Sequence, residues 1–404
     1  MRLGYNRNTR RDDLAREKQR LGSPMRRLTR AAAIALVLAS FVAACGRKAE
    51  EPADAAAPGP ATGGKKVVNV YNWSDYIDPG VLEDFKSATG IEVRYDVFDS
   101  NEVLETKLLT GRSGYDVVVP SAYFLERQIG AGAFRELDRS KLPNLANLDP
   151  ELQALVAAHD PGNAHSVIYM WGTTGIGYDA ARLQAIVPDA PVDSWDLVFD
   201  PAVVAKFKDC GVSVLDDPTD MVATVLLWLG KDPNSQSEAD LRLAEEKLLA
   251  IRPYIRTIHS SQYIEDLANG EICLAVGYSG DILQARDRAE EAGKQADIRY
   301  SIPKQGALMW FDMLAIPADA PHPENALAFI DYLMKPEVAA ANSNFVYYAN
   351  ANAAATALLD EDLRSDPGIY PPPEVRARLR TNLAKSAEFT RLLNRTWTRF
   401  TTGR

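Results

Sequence analysis

The sequence predicts an α/β protein with two lobes, and three observations support this fold class. Short apolar runs alternate with amphipathic segments of helical period from residue 67 onward, which is typical of βαβ units in a largely parallel sheet. The chain has 404 residues, which is more than a single hydrophobic core usually serves. Its 46% hydrophobic and 25% charged residues are typical of a globular protein.

Turn and cap residues separate the predicted elements in a regular order. Pro79 begins a helix that Gly90 ends, and Asn101 is predicted to cap the next helix along the chain. The predicted strands cover residues 67–71, 91–95, 116–120, 166–170, 212–215 and 313–317. The predicted helices cover residues 79–89, 103–109, 238–251 and 324–333.

The start of the chain carries the pattern of a bacterial lipoprotein signal. A basic stretch and a short apolar run, residues 31–44, precede Cys45. The run is too short to span a bilayer, so we predict that residues 1–44 are a signal segment and that Cys45 is lipidated. The alternative is a buried helix with an incidental cysteine. Met25 is the predicted start codon, and an extended basic region is the alternative.

Residues 45–66 are rich in Ala, Pro, Gly and Glu, and they predict a disordered tether. The signal segment carries a net charge of +7, so its removal changes the net charge from −10 to −17. An acidic chain argues against a nucleic-acid partner and favours cationic ligands, although the same charge also serves solubility.

Cys210 and Cys273 are the two cysteines that follow Cys45. An exported chain meets an oxidising compartment, so a disulfide is favoured over two buried thiols. The four histidines are scattered without ligand spacing, and neither a metal site nor a cofactor is predicted.

Aromatic and acidic side chains follow several predicted strands, at the edge where open α/β sheets bind ligands. Carboxylates bind ammonium groups through charge-assisted hydrogen bonds, and aromatic faces cover methylene groups and attract cations. One such side chain alone is more typical of a core position or a helix cap. Together they predict a site for a cation on an aliphatic chain. The candidates are Trp73, Ser74, Asp75, Tyr76, Ser121, Tyr123, Phe124, Asp216, Asp217, Asp220, Tyr278, Asp281, Trp310, Phe311, Asp312, Tyr347 and Tyr348.

Several segments resemble the putrescine-binding periplasmic proteins of polyamine ABC transporters. The matching segments are residues 70–77, 95–105, 119–121, 173–178, 259–263 and 348–352. The resemblance implies a monomer with the type II periplasmic binding protein fold, in which a hinge joins two α/β lobes. It further implies that Cys210 and Cys273 form a disulfide. We predict a first lobe from residues 67–170 and 314–346, and a second lobe from residues 171–313 and 347–404.

The resemblance also implies which residues contact the ligand. Asp220 and Tyr278 stand where the family usually has Glu and Trp. Four positions are more similar to the spermidine-binding receptors, so we expect spermidine to bind better than putrescine, with the reverse preference as the alternative. These four are Tyr123, Asp217, Trp310 and Asn382. The remaining predicted contacts are Trp73, Ser74, Asp75, Tyr76, Ser121, Asp281, Asp312 and Tyr348.

The predicted function is a periplasmic receptor, held at the inner or outer membrane only by its lipid anchor. It would capture a polyamine and deliver it to an ABC permease. A sensor that signals without transport is one alternative. An exported enzyme that uses Asp281 and Asp312 as acid and base is another. Because the sequence has no G-x-S-x-G, H-E-x-x-H or P-loop motif, we predict no enzymatic activity. Residues 175–177 are interpreted as a turn in a hinge strand.

Overall fold

The structure is a computed structural model that describes residues 66–404. The predicted signal segment, the lipidation site Cys45 and the predicted tether up to residue 65 lie outside the described residues. From residue 66 to the C-terminus, no helix is both long enough and apolar enough to form a membrane span.

Residues 66–404 form one mixed sheet of eleven strands. Along the sheet the order is β2-β1-β3-β9-β4-β7-β5-β6, while β8 and β10 pair with β4 and β11 pairs with β9. The strands are β1 (Val67–Trp73), β2 (Glu92–Phe98), β3 (Val117–Val118), β4 (Ser166–Asp179), β5 (Val212–Val214), β6 (Thr257–Ile258), β7 (Leu274–Tyr278), β8 (Ile298–Ser301), β9 (Ala307–Ala315), β10 (Ala349–Asn350) and β11 (Leu379–Arg380).

Helices fill the connections between these strands. They are α1 (Pro79–Thr89), α2 (Asn101–Thr110), α3 (Ala122–Gly130), α4 (Pro150–Val156), α5 (Ala180–Ile186), α6 (Asp196–Phe199), α7 (Pro201–Val204), α8 (Pro218–Trp228), α9 (Glu238–Ile251), α10 (Tyr263–Asn269), α11 (Ser279–Glu291), α12 (Pro323–Leu333), α13 (Pro336–Val346), α14 (Glu361–Ser365), α15 (Pro373–Arg376) and α16 (Ala387–Thr402).

Cap chemistry explains where the first helices begin and end. Asp78 accepts a hydrogen bond from the Gly80 amide at the start of α1, and Gly90 ends the helix in the left-handed conformation (φ 71°), which confirms the predicted helix. The predicted cap of α2 is wrong. Ser100 caps that helix by accepting from the Val103 amide, and Asn101 is its first helical residue.

The expectation of a largely parallel sheet is wrong. Parallel pairing holds β1 to β2 and β3, β5 to β6 and β7, and β9 to β11. The 14-residue strand β4, however, runs antiparallel to β7, β8, β9 and β10. The sequence predicted only residues 166–170 of β4, so its long antiparallel pairing was not anticipated.

Gly175 and Gly177 lie inside β4 and do not form the predicted turn. A Cβ atom at Gly175 would lie 2.5 Å from the Tyr300 hydroxyl, and one at Gly177 would collide with Ile282. The two glycines therefore allow β8 and α11 to pack closely against β4.

Buried apolar side chains form two large clusters that share the sheet. The first includes Phe85 and Phe329, and the second includes Trp195 and Phe207. Strand β4 contributes side chains to both clusters and so connects them. The limits of the two lobes stay predictions. Buried apolar residues between positions 348 and 369 lie in the first cluster, although the sequence assigned them to the second lobe.

The Cys210–Cys273 disulfide is present, with a Cα–Cα distance of 5.7 Å and a sequence separation of 63 residues. Because the bond restricts the unfolded chain, we expect the double substitution Cys210→Ala/Cys273→Ala to lower the free energy of unfolding by about 4 kcal/mol. Denaturant unfolding of both proteins measures this difference, and a reducing agent should affect only the wild type. Equal unfolding free energies would contradict the expectation.

Candidate functional site

A pocket with an empty volume of about 560 Å³ opens among the strand ends. Its lining contains five aspartates and several aromatic rings, and none of the lining residues is Lys, Arg or His. The lining consists of Trp73, Ser74, Tyr76, Phe98, Asp99, Asn101, Ser121, Tyr123, Asp217, Asp220, Ser260, Ser261, Tyr278, Asp281, Trp310, Asp312 and Tyr348.

The structure brings all the ligand contacts implied by the resemblance into this pocket except Asp75 and Asn382, and four of the wider candidates, Phe124, Asp216, Phe311 and Tyr347, are not part of its lining. Asp75 follows β1 and pairs instead with Arg288 of α11, at a distance of 2.7 Å from Oδ1 to Nη2. Asn382 lies behind the lining, where its Nδ2 donates to Asp220 Oδ1 (2.7 Å). Asn382 therefore orients a lining carboxylate. The predicted ligand contacts stay predictions.

The sequence prediction missed five lining residues. Each of them follows a strand whose true end, or whose existence, was not predicted. Strand β2 was predicted to end at Tyr95, but it continues to Phe98, so the lining residues Phe98, Asp99 and Asn101 follow its true end. Ser260 and Ser261 follow the two-residue strand β6, which the sequence did not predict.

Asp312 is held on β9 by a buried hydrogen-bonded chain. The Ser121 hydroxyl donates to Asp312 Oδ1 (2.6 Å), across an isolated antiparallel bridge between the two residues. Asn101 Nδ2 donates to Ser121 Oγ (3.1 Å), while Asn101 Oδ1 accepts from the Ser121 amide (3.0 Å). Because Ser100 caps α2, the Asn101 side chain is available for this role.

Asp281 is held in the first turn of α11 by two tyrosines. The Tyr263 hydroxyl donates to Oδ2 and the Tyr348 hydroxyl donates to Oδ1, both at 2.6 Å. Gly280 makes room for the Tyr348 ring, because a Cβ atom there would lie 2.6 Å from Tyr348 Cδ2.

Asp217 and Asp220 stand at the N-terminus of α8, where the helix dipole favours negative charge. Asp217 is the cap and accepts from the Asp220 amide (2.9 Å). Asp220 also accepts a bond at Oδ2 from the Thr174 hydroxyl of β4 (2.7 Å). Both carboxylates are thus fixed by α8 and its neighbours.

Burial raises the pKa of all four of these carboxyl groups. The pKa of Asp281 rises to about 6 and that of Asp312 to about 7, although hydroxyl donors partly oppose the shift. Burial raises the pKa of Asp217, and burial together with the charge of Asp217 raises that of Asp220 further. Since no basic side chain lines the pocket, a bound cation would supply the missing charge.

The raised carboxyl pKa values predict how the stability of the ligand-free protein depends on pH. A folded-state pKa above the unfolded value means that the folded protein binds more protons, so this stabilisation is present at low pH and is lost as pH rises through about 6 to 7. When the pH rises from 5 to 8, we expect the ionisation of Asp281 and Asp312 to lower the free energy of unfolding by on the order of 2–4 kcal/mol. Denaturant unfolding of the wild type and of the double variant Asp281→Asn/Asp312→Asn measures this loss. If the free energy of unfolding changed with pH by the same amount in both proteins, the expectation would be contradicted.

Aromatic rings form one wall of the pocket. Trp310 contacts Tyr348 (5.4 Å between ring centroids, 63°) and Tyr278 (5.5 Å, 81°), and Tyr76 meets Tyr348 edge to face. Two polar atoms in this wall, the Tyr76 hydroxyl and Trp310 Nε1, are buried without a hydrogen bond of normal geometry. The Tyr76 hydroxyl lies close enough to Asp312 to lower the pKa of that carboxyl group, which leaves Trp310 Nε1 as the buried donor of the wall that a water or a ligand atom would pair.

Metal binding finds no support in this part of the chain. Among residues 66–404, no group of three or more His, Cys, Asp or Glu side chains could hold a metal ion. The aspartates of the pocket are instead separated by aromatic rings and bonded to hydroxyl and amide donors.

Comparisons with known proteins agree with this geometry. Residues 80–371 match the family described as bacterial extracellular solute-binding proteins. A putrescine-binding periplasmic protein of Pseudomonas aeruginosa is 54% identical over 340 residues, which cover 84% of this chain and 93% of that protein. A putrescine-binding periplasmic protein of Escherichia coli is 53% identical over 342 residues, with coverages of 84% and 92%. A solved structure of a spermidine/putrescine ABC transporter substrate-binding protein of Streptococcus pneumoniae aligns with a TM-score of 0.68 at 30% identity, over 83% of this chain and 99% of that chain.

Proposed function

Since this chain belongs to the bacterial extracellular solute-binding protein family, we propose that it captures a linear polyamine outside the cytoplasm and delivers it to an ABC permease. The similar proteins are binding proteins with the periplasmic binding protein fold, and the proposal assigns no catalytic role to this chain. The observation that carries the proposal is the pocket itself, in which five aspartates face aromatic rings without any basic side chain.

The free acceptor positions indicate how a polyamine would bind. Asp312 accepts from Ser121 at Oδ1, and the Tyr76 hydroxyl lies beside its carboxylate, so Asp312 and Tyr76 suit one ammonium. Asp220 and Asp281 have donors on both oxygens, and each oxygen keeps a second acceptor position for a further ammonium. The methylene groups between the charges would lie along the aromatic wall.

The proposed cycle is closure around the bound cation. The ligand docks on one side of the pocket, and the opposite side then closes, which removes water and strengthens the contacts between carboxylates and ammonium groups. We propose that the closed monomer is the form that the permease recognises. The lipid anchor predicted at Cys45 would keep this receptor near the membrane.

The proposal includes a preference for spermidine over putrescine. Tyr123 and Asp217 both line the pocket, so they add a hydroxyl and a carboxylate to the groups that a diamine requires. A third ammonium needs such an acceptor, because burying an unpaired charge is costly.

Isothermal titration with putrescine, spermidine and 1,4-butanediol tests this proposal. Butanediol has the same carbon chain as putrescine without its charges, so it serves as the matched control ligand. We expect tight binding of both amines and no detectable binding of the diol. A protein that binds neither amine would refute the function, and tighter binding of putrescine would refute the preference.

A further inference from the structure

Helices α2 and α3 pack against each other at the rim of the pocket and place four side chains in two facing pairs. On α2, Glu102 and Glu105 are three residues apart and share a face. On α3, Tyr123 and Arg127 are four residues apart and share a face. Arg127 binds Glu105 with two hydrogen bonds of 2.7 Å, from Nε to Oε1 and from Nη2 to Oε2. Glu102 also lies close enough to Tyr123 for its charge to add, after burial and the charges of Asp217 and Asp220, to the raised pKa of the Tyr123 hydroxyl.

Glu102 therefore lies next to the pocket. Tyr123 lines the pocket, as does Asn101, the residue that directly precedes Glu102. Arg127, the nearby cation, binds Glu105 in a bidentate pair through the Nε and Nη2 edge of its guanidinium. Within the described part of the chain, the partly buried Glu102 carboxylate forms no ion pair or hydrogen bond with another side chain.

We propose that Glu102 is a specificity-determining residue that forms, together with Asp217, an acidic end of the pocket for the third ammonium of a triamine. This inference rests on the proposed polyamine-binding function and deepens it. A diamine has two ammonium groups. Asp312 and Tyr76 would bind one of them, and Asp220 and Asp281 would bind the other. Asp217 and Glu102, whose charges act on each other and on Tyr123, remain as acceptors that only a longer and more highly charged polyamine requires.

The electrostatics of this end support the assignment. Burial, followed by the charge of Asp217, raises the pKa of Glu102 to about 8. The charged groups that face it are Asp217, Glu105 and Arg127, of which only Arg127 favours the ionised form. An ammonium between Glu102 and Asp217 would therefore ionise Glu102 and release a proton.

The test compares Glu102→Gln with Glu83→Gln, which removes the same charge from an exposed position on α1. At pH 7.5 we expect Glu102→Gln to raise the dissociation constant for spermidine about tenfold and that for putrescine less than about twofold. Titrations in two buffers of different ionisation enthalpy should show that Glu102→Gln releases fewer protons per bound spermidine than the wild type does. Glu83→Gln should match the wild type in every measurement. Glu102→Asp keeps a carboxylate on a shorter side chain, so it should lose less spermidine affinity than Glu102→Gln.

The outcomes separate the inference from the function on which it rests. Equal losses for both amines, no loss for spermidine, or unchanged proton release in Glu102→Gln would overturn the role of Glu102 and leave the receptor function standing. A wild-type protein that binds putrescine but not spermidine would also overturn it. A wild-type protein that binds neither amine would refute the function itself. Circular dichroism and thermal unfolding of each variant establish that the isosteric change leaves the fold intact.

Discussion

Asp312→Asn is expected to weaken the binding of both putrescine and spermidine about 100-fold or more. The substitution keeps the shape of the side chain and the acceptor for Ser121, but it removes a buried negative charge that no basic side chain of the pocket neutralises. Loss of one partner from a buried charged contact typically costs about 3–5 kcal/mol. Isothermal titration of the wild type and the variant measures the change.

The control for this variant is Asp189→Asn, which removes an equal charge from an exposed position. It should leave both dissociation constants unchanged. The Asp312 variant should also be more stable than the wild type at pH 8 without ligand, because burial holds the pKa of Asp312 near 7 and its ionisation is costly. If Asp312→Asn bound both amines like the wild type, Asp312 would not contact the ligand.

Trp310→Ala is expected to weaken polyamine binding about 30-fold or more. Trp310 lies between Tyr278 and Tyr348 in the aromatic wall, and its ring packs directly over Gly172 of β4, where a Cβ atom would lie 2.7 Å from Cζ2. Truncation of such a central aromatic residue typically costs at least about 2 kcal/mol of binding free energy. It removes both the cover for the methylene groups and the ring face that attracts the cation.

Trp310→Phe is the matched control for Trp310→Ala. It keeps an aromatic face while it removes the indole nitrogen, so we expect most of the affinity to remain. Fluorescence or calorimetric titration of both variants with spermidine measures the difference. An alanine variant that binds as tightly as the phenylalanine variant would exclude the ring from the binding surface.

The position of the site could be predicted because local patterns determine it. Apolar runs identify strands, and the residues that follow them converge at one edge of the sheet, so the loops after β1 and β7 reach the pocket, whereas Trp310 and Asp312 lie inside β9. The errors arose where the end of an element was misjudged. Phe98 and Asp99 were missed because β2 continues three residues past its predicted end.

Other features depend on long-range contacts that no local pattern reveals. The antiparallel pairing of β4 depends on partners more than 90 residues away in the chain. Asn382 reaches Asp220 across a separation of 162 residues, and the amide of Asn234 holds the segment that carries Asn382 by donating to the Thr381 carbonyl. The resemblance indicated Asn382, but only the structure shows that its side-chain amide donates to Asp220.

A crystal structure of the protein with spermidine tests most directly the claim that scattered aspartates and aromatic rings form one polyamine site. We expect one ammonium within hydrogen-bonding distance of Asp312 and the others beside the remaining pocket aspartates, with the carbon chain against Trp310 and Tyr348. Spermidine bound elsewhere, or a pocket that stays closed to it while these carboxylates keep only their present partners, would contradict the account.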